Sequence, residues 1–157
     1  KLMVYKYKAM IALIQRVSEA SVSVKGKAVV SIGKGLLVLL GLEKNDSTQE
    51  AGRLAEKLLH CRIFDDDKGR LNLDVSAING EVLVVPNFTL AADTAKGNRP
   101  GFSNALEPNK AEPLFEYFIQ QLERNYPPIK QGIFGANMQV NLVNDGPVTI
   151  SLKAHNP

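Results

Sequence analysis

The chain has 157 residues, 45% apolar and 22% charged, which suits one domain with a sizeable buried core and excludes a disordered or charge-dominated chain. Its net charge of +3 admits an anionic partner such as nucleic acid, but no block of Lys and Arg marks a basic arm. A single cysteine, Cys61, excludes an intrachain disulfide and fits a reducing compartment, so a cytoplasmic location is expected, and no apolar run approaches the roughly 18 residues of a membrane span.

Residues 1–9 are basic, and the apolar run Met10-Ile11-Ala12-Leu13-Ile14 that follows is ended by Gln15 and Arg16, too soon for the core of a secretory signal. Those nine residues are expected to be a leader or an expression remnant, followed by a single domain over 10–154 and a polar tail at 155–157 containing His155. Residues 10–17 read as a strand; Ser21-Val22-Ser23-Val24 alternates, and Gly26 breaks the run before a strand over 28–32, as in a meander. Residues 36–40 are continuously apolar, as in a strand buried on both faces. Ser47-Thr48-Gln49-Glu50 is a capping box, and Ala51, Leu54, Ala55, Leu58 and Leu59 follow with helical spacing. Strands over 70–75 and 81–90 flank Asn79-Gly80, a hairpin signal. Residues 92–105, with Arg99 and Pro100, read as a functional or connecting loop. Pro108 suits a first helical turn, and Leu114, Phe115, Phe118, Ile119 and Leu122 form one apolar face before Pro127-Pro128. Pro113 would bend that helix or delay its start. Strands over 138–143 and 148–152 lie on either side of an Asp145-Gly146-Pro147 turn. The sum is an α/β or α+β domain with mainly antiparallel pairing.

Two stretches are candidates for chemistry. In Asn144-Asp145-Gly146-Pro147-Val148-Thr149, proline removes a donor and glycine admits unusual geometry, so carbonyls can stand free of any ladder and grip a ligand. In Pro86-Asn87-Phe88-Thr89-Leu90, an amide and a hydroxyl appear where the buried run Val82-Leu83-Val84-Val85 ends. A plain structural turn is the competing reading of the Gly-Pro pair. There is no phosphate-cradling glycine motif, zinc spacing or Ser/His/Asp set. His60 beside Cys61 lacks ligand spacing, so no metal is expected, and Asp65-Asp66-Asp67 before Lys68-Gly69 reads as a solvated turn. Thr89 could be a nucleophile, but a strand threonine usually packs, and no base is evident.

From Met10 to about Leu152 the chain resembles the bacterial D-aminoacyl-tRNA deacylases, formerly described as D-tyrosyl-tRNA deacylases. The resemblance rests on Met10-Ile11-Ala12-Leu13-Ile14-Gln15-Arg16-Val17, Gly35-Leu36-Leu37-Val38-Leu39-Leu40-Gly41, Arg62-Ile63-Phe64, Leu71-Asn72-Leu73, Phe88-Thr89-Leu90-Ala91-Ala92-Asp93-Thr94, Arg99-Pro100, Met138-Gln139-Val140 and the 144–149 motif. It implies a D-aminoacyl-tRNA deacylase-like fold, a barrel-like sheet with two principal helices, and hydrolysis of the ester joining a D-amino acid or glycine to the tRNA 3′ end. It further implies a homodimer that needs no cofactor, in which a cis Gly146-Pro147 turn enters the partner's site and screens chirality by steric exclusion, with Arg16 holding the turn. The family's Ser-Gln-x-Thr-Leu signature is altered: Pro86 and Asn87 stand at the Ser and Gln positions, and Thr89 is retained. Either Thr89 attacks the ester, or the substrate's ribose 2′-OH assists water while main-chain N–H groups around Phe88 and Thr89 hold the oxyanion; the lack of a base for Thr89 favours the second. The alternative from another class is a non-catalytic dimer that binds a tRNA end or a metabolite.

Overall fold

Apolar alternation carries the first strand further than the sequence suggests. In the computed structural model, which describes residues 9–155, β1 (Ala9–Val24) is continuous. The strands expected at 10–17 and 21–24 merge because the exposed Ser18 and Glu19 are absorbed by a register shift rather than ending the run. β2 (Lys27–Ile32) returns antiparallel through Lys25 and Gly26, whose φ of 51° and 76° are those of a two-residue hairpin turn.

β3 (Gly35–Gly41) pairs antiparallel with β1 and parallel with β6 (Glu81–Pro86), and β6 pairs parallel with β7 (Ile129–Gln131). β8 (Gln139–His155) follows the other edge of β1 in antiparallel register from Ala9↔His155 to Ser23↔Gln139. Ala9 and His155 are paired in this sheet, and the rest of the expected leader, 1–8, and tail, 156–157, lies outside the described residues. Lys130 Nζ of β7 donates to Ser31 O of β2 at 2.7 Å, which draws the outer strands together into a nearly closed barrel.

Because β3 and β6 are covered on both faces, their unbroken apolar runs divide between two cores. Leu36, Val38, Leu40, Val82 and Val84 face the helices, while Leu37, Leu83 and Val85 join Val17, Ala20, Val22 and Ile32 inside the barrel. The helices are α1 (Thr48–Leu59) and α2 (Pro108–Asn125). Ser47 and Glu50 form the expected capping box: Ser47 N–H donates to Glu50 Oε2 at 2.8 Å, and Ser47 Oγ accepts from Gln49 N–H at 3.3 Å. Leu54 and Leu58 of α1 meet Phe115, Phe118 and Leu122 of α2 in the outer core, each burial contributing about 1.5–3 kcal/mol. Pro108 occupies the first turn of α2, and Pro113 is accommodated one turn later; the helix starts on time, with Ala111 N–H already bonded to Glu107 O at 2.9 Å. Among the described residues no helix is long and apolar enough to cross a membrane.

The Asn79-Gly80 hairpin does not form. β5 (Leu71–Leu73) pairs instead with β4 (Phe64–Asp65), while β6 joins the main sheet. Asn79, with φ of 53°, closes a helical turn: its N–H bonds Ser76 O at 3.1 Å, and Gly80 N–H bonds Val75 O at 3.0 Å, the paired bonds of a Schellman end. The strand expected over 81–90 stops at Pro86, and residues Phe88–Ala91 form a 3-10 turn, so Thr89 is not a strand residue.

Candidate active site

The Gly146-Pro147 segment does not reverse the chain. Along β1 the register passes from Gln15↔Thr149 to Val17↔Asn144, so residues 145–148 face Arg16 alone and are extruded from the ladder. The strands expected at 138–143 and 148–152 are thus two halves of one strand interrupted by a protrusion. Its base is closed by side chains: Val148 N–H donates to Asn144 Oδ1 at 3.0 Å, Asn144 Nδ2 donates to Thr149 Oγ1 at 2.9 Å, and Gln15 Nε2 donates to the same hydroxyl at 3.3 Å. The Gly146-Pro147 peptide is cis. Gly146 has φ of +146°, and a Cβ there would lie 2.8 Å from Val148 N and 3.2 Å from Arg16 Nη2, so only glycine fits.

Arg16 is 8% exposed and sits beneath this protrusion. Its Nε donates to Asp145 O at 2.8 Å, and its Nη1 donates to Ile63 O at 3.0 Å and to Asp65 Oδ1 at 3.4 Å. The planar fork thereby ties the protrusion to β4, a geometry that lysine cannot reproduce. Asp65 is therefore more than part of a solvated turn. Asp66 is the turn residue, accepting from Lys68 N–H at 2.9 Å and Arg70 N–H at 3.0 Å.

The second candidate stretch lies where β6 ends. β7 reaches only Gln131, opposite Val84, so proline at 86 deprives no ladder partner on that side. Asn87 N–H then donates to Leu40 O at 2.8 Å, and the 3-10 turn packs onto Gly41, where a Cβ would come within 2.7 Å of Leu90 Cβ. Leu90 is the first residue of that turn to bond back, to Asn87 O at 3.3 Å, leaving the Phe88 and Thr89 N–H groups without an acceptor inside it. Thr89 Oγ1 donates to Asn87 Oδ1 at 2.5 Å, and an amide oxygen cannot take a proton as a general base would.

Beside this corner opens an apolar groove of about 840 Å³ whose walls include Pro86, Asn87, Phe88, Phe102, Phe134 and Met138. Phe88 is 60% exposed and meets Phe102 edge-on, with ring centroids 5.2 Å apart. Gly146 and Pro147 do not line the groove of their own chain. The structure thus joins Arg16 to the 145–148 protrusion and groups Pro86, Asn87, Phe88 and Thr89; the groove wall reaches Gln15, which bonds Thr149 at the foot of the protrusion, but not Gly146 or Pro147 themselves. Sequence reasoning passed over Phe102, Phe134 and Met138, whose separation along the chain hides their convergence, and Asp65, whose partner lies far upstream.

His60 does not enter this site. His60 caps the end of α1, with Nδ1 2.9 Å from Glu56 O, and Cys61 follows the helix rather than lying in it, its thiol pushed up by burial and so less reactive. Among the described residues no group of three or more His, Cys, Asp or Glu could hold a metal ion.

Residues 13–153 match the family described as D-Tyr-tRNA(Tyr) deacylase. The chain belongs to that family. It is 55% identical over 143 residues to the D-aminoacyl-tRNA deacylase of Dichelobacter nodosus, covering 91% of this chain and 99% of the relative. Identity to the protein of that name in Haemophilus influenzae Rd is 56% over 143 residues, again covering 91% and 99%. A solved structure described as a c-Myc DNA unwinding element binding protein superposes with a TM-score of 0.88 at 41% identity, covering 94% of this chain and 99% of the other. One described as a probable eukaryotic D-amino acid tRNA deacylase has a TM-score of 0.77 at 17% identity, covers 92% and 99%, and shows the shared fold. The protein is accordingly a hydrolase that deacylates D-aminoacyl-tRNA and acts in translation proofreading.

Proposed function

We propose that the deacylase works as a homodimer in which the 145–148 protrusion of each subunit enters the groove of the other and screens the amino acid at its α-carbon. The observation that carries this reading is that residues 145–148 are extruded from the β1 ladder, yet Gly146 and Pro147 line no part of the groove of their own chain. Held close to the α-carbon, backbone carbonyls leave room for hydrogen or a D substituent but collide with an L side chain. The same logic admits glycyl-tRNA. Residues 10–154 form the deacylase domain, and the work is cytoplasmic.

For the chemistry, the free Phe88 and Thr89 N–H groups support an oxyanion site at the ester carbonyl. The Thr89 hydroxyl already donates to Asn87, and among the described residues no histidine or carboxylate bonds it, which favours water assisted by the substrate's own 2′-OH. Pro86 and Asn87 shape the groove without contributing the hydroxyl of the family signature.

Mixed dimers test the composite site. Thr89→Pro deletes one oxyanion donor and constrains Phe88 before it, and should cost at least about 10²–10³-fold in rate. Gly146→Val forces a Cβ into Val148 and displaces the protrusion. Coexpressed, the two lesions fall together in one site of each mixed dimer and leave the other intact. Recovered D-aminoacyl-tRNA hydrolysis in mixed but not in pure dimers is expected; no recovery would overturn the cross-subunit arrangement.

A further inference from the structure

The apolar groove can hold an ester-linked residue, but it offers nothing to neutralise the phosphates that accompany a tRNA 3′ end. The neighbouring loop over 94–100 does. It reads Thr94-Ala95-Lys96-Gly97-Asn98-Arg99-Pro100, two cations and no acid, and every residue in it is exposed. Its two ends are pinched together by Asp93 N–H to Gly101 O at 2.7 Å and Gly101 N–H to Asp93 O at 2.9 Å. On entry the chain comes directly from the Phe88–Ala91 turn, and on exit it leads to Phe102, whose ring touches Phe88. Arg99 stands three positions before Phe102, so its Cα lies within about 11 Å of that of Phe102 on the groove wall even if the chain is fully extended.

The charges are also available. Among the described residues neither Lys96 nor Arg99 makes an ion pair or hydrogen bond. The nearest acid in the chain, Asp93, is occupied by Ala95 N–H at 3.0 Å, and Glu107 on the groove wall pairs with Lys110 at 3.0 Å. We propose that the 94–100 loop is the arm that docks the acceptor end of tRNA, with Lys96 and Arg99 contacting backbone phosphates while the aminoacyl ester enters the groove. The assignment rests on the reading that places the reacting ester beside Phe88 and Thr89.

The test compares D-aminoacyl-tRNA with a D-aminoacyl-adenosine ester that carries no phosphodiester. Lys96→Ala combined with Arg99→Ala should raise KM for the tRNA about tenfold near physiological salt and reduce the slope of log(kcat/KM) against log[salt] by about 0.7–0.9 for each cation removed. Hydrolysis of the adenosine ester should not change. A control pair, Lys57→Ala with Arg124→Ala, removes the same charge from the last turns of the two helices, Arg124 lying about 24 Å along α2 from the groove residue Pro108. It should leave KM alone. An unchanged KM for tRNA in the loop variant, an equal loss on both esters, or an equal effect of the control pair would overturn the proposal. Thr89→Pro separates the two readings: if it slows both esters while the loop variant behaves as wild type, the loop assignment alone fails; if it slows neither, the site beside Phe88 fails and the loop assignment with it.

Discussion

Arg16 is the residue on which the geometry of the protrusion turns. It spends its guanidinium on two carbonyls and a carboxylate, Asp145 O, Ile63 O and Asp65, in a setting with little water. Lysine keeps the charge but not the fork. Arg16→Lys should therefore leave a buried carbonyl unpaired, lower unfolding free energy by about 1–3 kcal/mol in urea titrations, and reduce the ratio of D- to L-aminoacyl-tRNA hydrolysis. Thr89 makes the opposite case. Its hydroxyl touches only Asn87 among the described residues, so Thr89→Ala should slow turnover less than about tenfold, whereas a tRNA ending in 2′-deoxyadenosine should lose the general-base contribution of about 10²–10⁴-fold. Abolished turnover in Thr89→Ala with a near-normal deoxy substrate would point to a threonine nucleophile instead.

Among the elements, those specified by neighbours in sequence were legible and those specified by distant partners were not. The Ser47 to Glu50 box, Pro108 at the head of α2 and the doubly buried runs of β3 and β6 are each settled within a few residues. Asn79-Gly80 carries the same local chemistry whether it closes a hairpin or a helical turn, since both need positive φ, and the choice is made by β6 pairing with β3 far upstream. Likewise nothing near Gly146 announces that both flanking segments bind the same strand. The groove was legible at its Pro86–Thr89 corner only; the family resemblance, rather than periodicity, singled out Arg16. The link from β3 to α1 adds a pH dependence. Burial, reinforced by the charges of Glu43 and Glu50, pushes the Asp46 carboxyl up to about 7, although its Oδ2 accepts Glu43 N–H at 2.7 Å. A carboxyl raised on folding stabilises the protein below its ordinary value of 3.8, and that contribution is lost as pH rises through about 7. Asp46→Asn keeps the acceptor without the charge. It should flatten the dependence of Tm on pH between about 4 and 7 and melt above wild type at pH 8, as thermal scans across that range would show.

For the whole molecule, the exposed apolar side chains Phe88, Phe102 and Ile133, together with the groove, are costly to leave in water and suit a second copy. Sedimentation should give twice the 17.1 kDa chain mass, and specific activity should fall on dilution as the dimer dissociates. A fully active monomer would sink the cross-subunit site. Both flanks of the 145–148 protrusion are zipped to β1, and β1 also carries the arginine that props it. The protrusion and the strand it is bolted to are here one piece, so thermal breathing elsewhere in the barrel or helices displaces both together and leaves the shape of the protrusion unaltered. If the protrusion screens across a dimer as proposed, its tolerance would then be set at the seam between the two copies, and much less by how soft the rest of each copy is.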